Sequence, residues 1–308
     1  MIDISYVITV YNKADHIAPM LNALERQEGD FSREFIFVDD GSTDHSLDII
    51  RERTKDWPNV RILEQENAGV SVATNTGGFA AKGEFIKIVD ADDAMTPYAS
   101  RRLLDMMRAH NLDQIAAEWK LSPDIETDSK NALETDASLD ILENPLSEFF
   151  KVGMGGSTST MIRTRAFKDV GGCDERVFVQ DFSLPLRLSK KHRMACTDLL
   201  VVFGPENADG RILDAQATVI HDLSATMYYF LMDNPDISAD LQRLAFKRCA
   251  GRAWKWAKRK QGKSIFSRAF YLYLLSRLPI WQQTSHLIGE TMYIWKDETV
   301  RQSGSKKV

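Results

Sequence analysis

Three short runs constrain this chain more than anything else in it: ISYVITV (4–10), EFIFVDD (34–40) and FIKIVDADD (85–93). Each is largely apolar, and each stops at a polar cluster. The first suits a strand covered on both faces, as in a parallel sheet. Helical patterns separate the runs. Ile17, Leu21 and Leu24 share one face after Tyr11-Asn12. GSTD (41–44) supplies a turn and a helix start, with Ser42 or Thr43 as N-cap, and Leu47 and Ile50 carry the buried face. Val60 to Leu63 reads as a further strand, Val70 to Ala81 as a small-residue helix that packs closely on a sheet, and Pro97 to His110 as another helix. Alternation of this kind with short connections predicts a doubly wound parallel sheet with right-handed crossovers. Ligands of such sheets sit at the carboxyl ends of the strands. The clusters Thr9-Val10-Tyr11-Asn12, Asp39-Asp40-Gly41-Ser42 and Asp90-Ala91-Asp92-Asp93 therefore converge on one edge.

Asp90, Asp92 and Asp93 directly after an apolar strand raise an electrostatic question. Close carboxylates repel, and burying them is costly unless a cation compensates. The second half of the chain is less regular. Residues 122–145 are acidic and polar with no sustained period, and read as a long surface excursion or mobile loop. A Gly-rich stretch follows (151–167), with Thr158 to Ile162 as a strand, then a turn and a helix holding Leu184, Leu186 and Leu188. At 308 residues the chain is long enough for one large α/β domain with an appendage. Cys173, Cys196 and Cys249 are odd in number and widely spaced, and fit buried or surface thiols in a reducing compartment. The first residues carry no signal-peptide pattern, and no window approaches eighteen uninterrupted apolar residues. The expected location is cytoplasmic.

Charge is uneven. From Leu241 onward there are 15 Lys+Arg against 3 Asp+Glu, leaving 24 against 41 in the first 240 residues. An acidic body with a basic tail points to an anionic partner. In the tail, Trp254, Trp256, Phe266, Phe270, Tyr271, Tyr273 and Trp281 interleave with Lys and Arg, and two or three helices are expected, at least one amphipathic. One reading lays residues 241–295 on an anionic membrane surface. Another packs them on the body or in an oligomer. Nucleic-acid binding is disfavoured by the acidic body.

VITVYN, FIFVDDGSTD, ENAGVSVATNTG, GEFIKIVDADD and GGCDE…QD…LRL occur in the order and spacing of family 2 glycosyltransferases, which the chain resembles closely over residues 2–110 and more loosely over 150–192. The resemblance implies a GT-A fold: a Rossmann-like, mostly parallel α/β sheet flanked by helices, here with a C-terminal basic helical extension. It implies a glycosyltransferase domain over 1–240, with a nucleotide-binding half near 1–110 and an acceptor-side half near 150–240, followed by the tail at 241–308. The implied reaction moves a sugar from a nucleotide-sugar, here a UDP-sugar, to an acceptor hydroxyl with inversion, in bacterial lipopolysaccharide, capsule or exopolysaccharide synthesis. The acceptor would be a glycan or lipid-linked, with the enzyme peripheral on the inner face of the plasma membrane.

Site residues carry over one by one. Asp92 of the DXD motif Asp90-Ala91-Asp92 would bind Mn²⁺ or Mg²⁺, which prefer carboxylate and phosphate oxygens. Asp90 would contact the ribose or the metal shell, and Asp93 either joins them or caps the next helix. Asp39 would accept the uracil N3–H, since an ionised carboxylate only accepts. Thr9, Val10 and Tyr11 would line the base pocket, and Asn75 would lie at the nucleotide. Asp40 with Ser42, and Asn12, suit turn and cap chemistry. Thr74 stands where relatives commonly carry Arg, which leaves donor selectivity open. Asp181 would be the base that takes the acceptor proton. Its neighbour Gln180 replaces the family's Glu, and the alternative is a plain helix cap. Arg187 would buttress the site or form a surface pair. His221 completes the metal shell or is structural, and Gly155-Gly156-Ser157-Thr158 shapes the acceptor pocket or a tight turn. Two other readings stand beside this one: a degenerate nucleotide- or sugar-binding scaffold, and a nucleotidyltransferase, for which the phosphate loop is missing.

Overall fold

A computed structural model describes residues 2–154, 156–206, 216–279, 284–296 and 298. Gly155, Trp281 and the last residues of the tail lie outside them. The described strands are β1 Ile4–Val10, β2 Arg33–Asp39, β3 Val60–Glu64, β4 Phe85–Asp90, β5 Ala94–Met95, β6 Gln114–Ser122, β7 Leu139–Ile141, β8 Thr160–Arg163 and β9 Met194–Pro205. The described helices are α1 Ile17–Glu25, α2 Ser46–Thr54, α3 Val70–Ala80, α4 Ala99–Ala109, α5 Ile125–Lys130, α6 Pro145–Val152, α7 Thr164–Asp169, α8 Gln180–Ser189, α9 Gln216–Asp233, α10 Ala239–Lys260, α11 Arg268–Leu275 and α12 Ser285–Thr291, closed by a 3-10 turn at Met292–Trp295.

One sheet runs β3-β2-β1-β4-β8-β6-β9-β5, with β7 beside β9. The first four strands are mutually parallel, and β8 then enters antiparallel between β4 and β6. β1 is buried along its whole length. Its period of two divides its side chains between two cores: Val7 joins Ile36, Val38, Ile86 and Ile88 on one face, while Tyr6, Ile8 and Val10 join Phe35, Phe37, Phe85 and Val89 on the other. Helices α1, α2 and α4 cover the second face. The first is covered by α3, α6, α7, α8 and α9. The expected close packing of the small-residue helix is seen at Gly77 of α3, where an added Cβ would lie 2.4 Å from Val7 Cγ1.

Register places the polar clusters. Val10 pairs with Asp39, and Thr9 with Asp90, so the carboxyl ends of β2, β1 and β4 stand side by side.

Three local expectations change. Residues 125–130 form α5, capped by Asp124, whose Oδ1 accepts from Thr127 N–H at 3.0 Å; six residues are too few to display a period. Leu139–Ile141 pairs with Ala195–Thr197, so the acidic excursion is tied to the sheet. ATVIHD, strand-like in its β-branched content, is the first part of α9, an instance of tertiary packing overriding weak local preference.

The basic tail packs on the body. Phe246, Cys249 and Ala250 of α10, Leu272 of α11 and Ile288 of α12 belong to the same apolar cluster as Phe149, Phe182 and Leu186. Outside that buried face, Ile265, Phe266, Tyr271, Leu274 and Leu278 are exposed, Phe266 at 93%.

Candidate active site

The carboxyl edge of the sheet opens into a cleft of about 640 Å³. Thr9, Val10 and Tyr11 line it from β1, Asp90, Ala91, Asp92 and Asp93 from β4, and Gln180 and Asp181 from the start of α8. Residues distant in sequence thus share one wall, as the topology requires.

Asp90 is held firmly. Its N–H donates to Thr158 Oγ1 at 2.9 Å, and Ser157 Oγ donates to its carboxylate. Burial first, then the negative charge of Asp92 and of Asp181, push its pKa up to about 6 against the opposing effect of Ser157 and Lys13. Asp92 is 7% exposed and accepts an ion pair from Lys13 Nζ at 2.7 Å. Beneath them lies Lys87, fully buried, whose Nζ donates to the carbonyls of Thr158 and Thr160. Burial lowers its pKa to about 7, opposed by Asp93 and Asp90. Lys87 therefore ties β4 to the segment that grips Asp90.

Asp181 occupies the second position of α8. Burial raises its pKa, while its own backbone N–H and that of Phe182 act the other way. A carboxylate in this position can accept a proton.

Asp40 holds the loop into α3. Its Oδ1 accepts from Gln65 Nε2 (2.8 Å) and Ala68 N–H (2.9 Å), and its Oδ2 from Gly69 N–H (2.9 Å). Gly69 has φ +99°, which a side chain would strain. Asn12 and Ser42 are likewise loop builders: Asn12 Oδ1 accepts from Thr43 N–H and Ser42 Oγ from Asn12 N–H. The start of α2 lies further on than expected, with Asp44 Oδ1 accepting from Ser46 N–H.

Four expected residues sit differently. Asp39 is outside the cleft lining; its Oδ2 accepts from Ser42 N–H and its buried Oδ1 has no partner. Asn75 is also outside it, and grips the turn before α8: its Oδ1 accepts from Cys173 N–H (2.7 Å) and its Nδ2 donates to Cys173 O and Glu175. An added Cβ on Gly172 (φ +70°) would strike Asn75 Oδ1 at 2.3 Å. Asn75→Ala would leave a buried N–H unpaired, at about 1–3 kcal/mol, so its thermal midpoint should fall while nucleotide affinity holds; the reverse pattern in paired melting and titration experiments would place Asn75 at the nucleotide. His221, on α9, does not join Asp90 and Asp92. Its Nδ1 lies 2.7 Å from Asp222 Oδ1, and Trp295 packs against its ring. Asp222 in turn accepts from Phe178 N–H, so this pair braces the entry to α8. Arg187 donates to Val170 O at the end of α7, outside the cleft.

The cleft also contains residues that sequence reading did not single out: Lys13, Trp119, Arg248 and Arg252. Lys13 directly follows a recognised motif, and was the one within reach of pattern reading.

A divalent cation suits the donor set. Burial, with the negative charges of Asp92 and Asp181 added to it, raises the Asp90 pKa to about 6, and Lys13 supplies a compensating charge on Asp92. Among the described residues no group of three metal-ligating side chains is assembled. A cation on Asp90 and Asp92 would take its other ligands from diphosphate and water.

This arrangement, a largely parallel sheet with an acidic motif and a further carboxylate in one cleft at its carboxyl edge, is that of a GT-A fold. Residues 5–171 match the sequence profile of Glycosyl transferase family 2, over half the chain, and the chain belongs to that family. Among its relatives, the uncharacterised glycosyltransferase YibD of Escherichia coli is 37% identical over 118 residues, 38% of this chain and 34% of the relative. The putative glycosyltransferase EpsH of Bacillus subtilis is 38% identical over 101 residues, 33% and 29% of the two chains. The matched region thus spans about a third of these curated relatives. Among solved structures, Staphylococcus aureus TarS 1–349 in complex with UDP-GlcNAc superposes with a TM-score of 0.66 at 18% identity, over 89% of this chain and 79% of that one. The mannosyltransferase PcManGT of Pyrobaculum calidifontis, in complex with GDP-Man and Mn²⁺, gives 0.59 at 15% identity, over 96% and 86%. At such identities the likeness is one of fold.

Proposed function

We propose that the chain transfers a sugar from a nucleotide-sugar, of the UDP class, to an acceptor hydroxyl by a metal-dependent, inverting single displacement. The observation that carries this reading is the placement of Asp90, Asp92 and Asp181 on one cleft. The solved complexes of TarS with UDP-GlcNAc and of PcManGT with GDP-Man and Mn²⁺ support it.

Thr9, Val10 and Tyr11 bound the nucleoside end. The unpartnered Asp39 Oδ1 is the acceptor for a base N–H, and reaching it requires the surrounding chain to shift. Asp90 and Asp92 would hold Mn²⁺ or Mg²⁺, which would supply charge neutralisation to the diphosphate leaving group. Asp181 takes the acceptor proton as the hydroxyl attacks the anomeric carbon from the face opposite the departing diphosphate. Lys13 neutralises Asp92 until a cation arrives. Lys13→Met should therefore raise the affinity for Mn²⁺ alone severalfold in calorimetry; an unchanged or weaker affinity would show that the ion pair does not compete.

Residues 1–240 carry donor and acceptor sites in this reading, and the tail completes the acceptor wall. The exposed apolar side chains of 265–278 among Lys and Arg suit a peripheral contact with an anionic membrane at the cytoplasmic face. Among the described residues no helix is long and apolar enough to cross a membrane. The acceptor is a bacterial surface glycan or its lipid-linked precursor; one relative, 37% identical over 115 residues (36% of this chain, 18% of the relative), is named a poly(ribitol-phosphate) beta-glucosyltransferase of Bacillus spizizenii. Incubation with a panel of UDP-sugars and Mn²⁺ should release UDP, and EDTA should stop the release. Tight UDP binding without turnover on any acceptor would favour the scaffold reading instead.

A further inference from the structure

Helix α10 presents Arg248 and Arg252 to the cleft. Four residues apart, they share one helix face. Among the described residues Arg248 and Arg252 meet no carboxylate, unlike Arg163 on Glu84 and Asp113; half-buried Arg187 is likewise held by a backbone carbonyl alone. Arg248 Nη1 donates to the carbonyls of Phe149 (2.9 Å) and Phe150 (3.0 Å), and Arg252 Nη1 to that of Leu223 (3.3 Å) and towards Met227 Sδ. Their setting is apolar. The Arg252 guanidinium stands 5.8 Å from the centre of the Phe182 ring. A Cβ on Gly153 would lie 3.5 Å from both Arg248 Nη2 and Phe182. Burial lowers both pKa values, and Arg252 adds to the effect on Arg248; a guanidinium nonetheless stays charged at neutral pH. Both are half-buried at the cleft, and two adjacent cations without a carboxylate partner disfavour one another until an anion joins them. Phe182 follows Asp181 in α8, and both line the same cleft as the pair.

We infer that Arg248 and Arg252 form an oxyanion subsite that receives a phosphate ester carried by the acceptor. The guanidinium fork matches phosphate oxygens in pairs, and two such forks on one helix face suit a single phosphate in a largely apolar wall. A lipid-carrier phosphate and a polymer phosphodiester present the same group. The inference rests on the glycosyl-transfer reading of the cleft.

The test titrates the full chain separately with geranyl phosphate and with glycerophosphoglycerol, each with and without saturating UDP and Mn²⁺, and with methyl glucuronide as a carboxylate control. At least one phosphate probe should bind the wild type and remain bound in the presence of UDP and Mn²⁺; which one binds identifies the source. Its affinity should fall about tenfold or more in Arg252→Gln and in the Arg248→Gln/Arg252→Gln double variant. UDP affinity, unchanged in both, reports that they are folded, and Arg252→Gln keeps the contacts of Arg248 to the end of α6. The inference is overturned if neither phosphate probe binds, if the variants bind as the wild type does, if UDP displaces the probe, or if the glucuronide binds as well as the phosphates. Absence of UDP binding by the wild type would sink the donor reading separately, leaving the phosphate result to be judged by the variants.

Discussion

Asp181→Asn is expected to lose transfer by about a thousandfold while retaining Mn²⁺-dependent UDP affinity. The amide keeps the shape and the position in α8 but cannot accept the hydroxyl proton. A second signature separates this role from helix capping. Burial raises the pKa of Asp181 above its ordinary value of 3.8. A group raised on folding contributes stability that is fully present below its unfolded pKa and is lost as pH rises through the folded one. At neutral pH the ionised carboxylate is therefore a cost, and Asp181→Asn should melt higher than wild type there. The acid limb of kcat/KM should likewise lie above 3.8, because the base is lost on protonation. A variant that keeps its rate, or that melts lower at neutral pH, would show that Asp181 is a cap and not a base.

Asp92→Ala carries the other large effect. It removes the carboxylate of the acidic motif that pairs with Lys13, and so frees that lysine. UDP binding should become insensitive to Mn²⁺ and transfer should fall by about a thousandfold or more, since the leaving group loses its neutralising cation. The fold should survive. Asp92 makes its ion pair across a loop, and Asp90 keeps its contacts to Ser157 and Thr158. Retained metal-dependent binding in Asp92→Ala would shift the cation site to other residues.

The parallel half of the sheet could be read from the chain because β1, β2 and β4 are short apolar runs that end abruptly in carboxylates or polar groups, and because parallel topology leaves few ways to arrange them. In the other half only β8 was legible, expected at Thr158 to Ile162 and found at Thr160–Arg163. β6 is exposed over four successive residues, which hides its period, β9 is irregular in its pairing with β6, and α9 begins with β-branched residues. In the cleft, Asp90, Asp92 and Asp181 announced themselves by motif. Lys13 and the two arginines did not, since their roles depend on pairings, or on the lack of them, across distances in sequence that no local pattern encodes. Asn75 and His221 show the converse. Polar residues near a motif can serve the turn that positions the site, and only the fold tells which they do.

Calorimetric titration of the purified chain with UDP, with and without Mn²⁺, in wild type and Asp92→Ala, bears most directly on the central claim. The account predicts that wild type binds UDP much more tightly with Mn²⁺ and that the substitution abolishes the difference. Equal UDP affinity with and without Mn²⁺ in the wild type would contradict it.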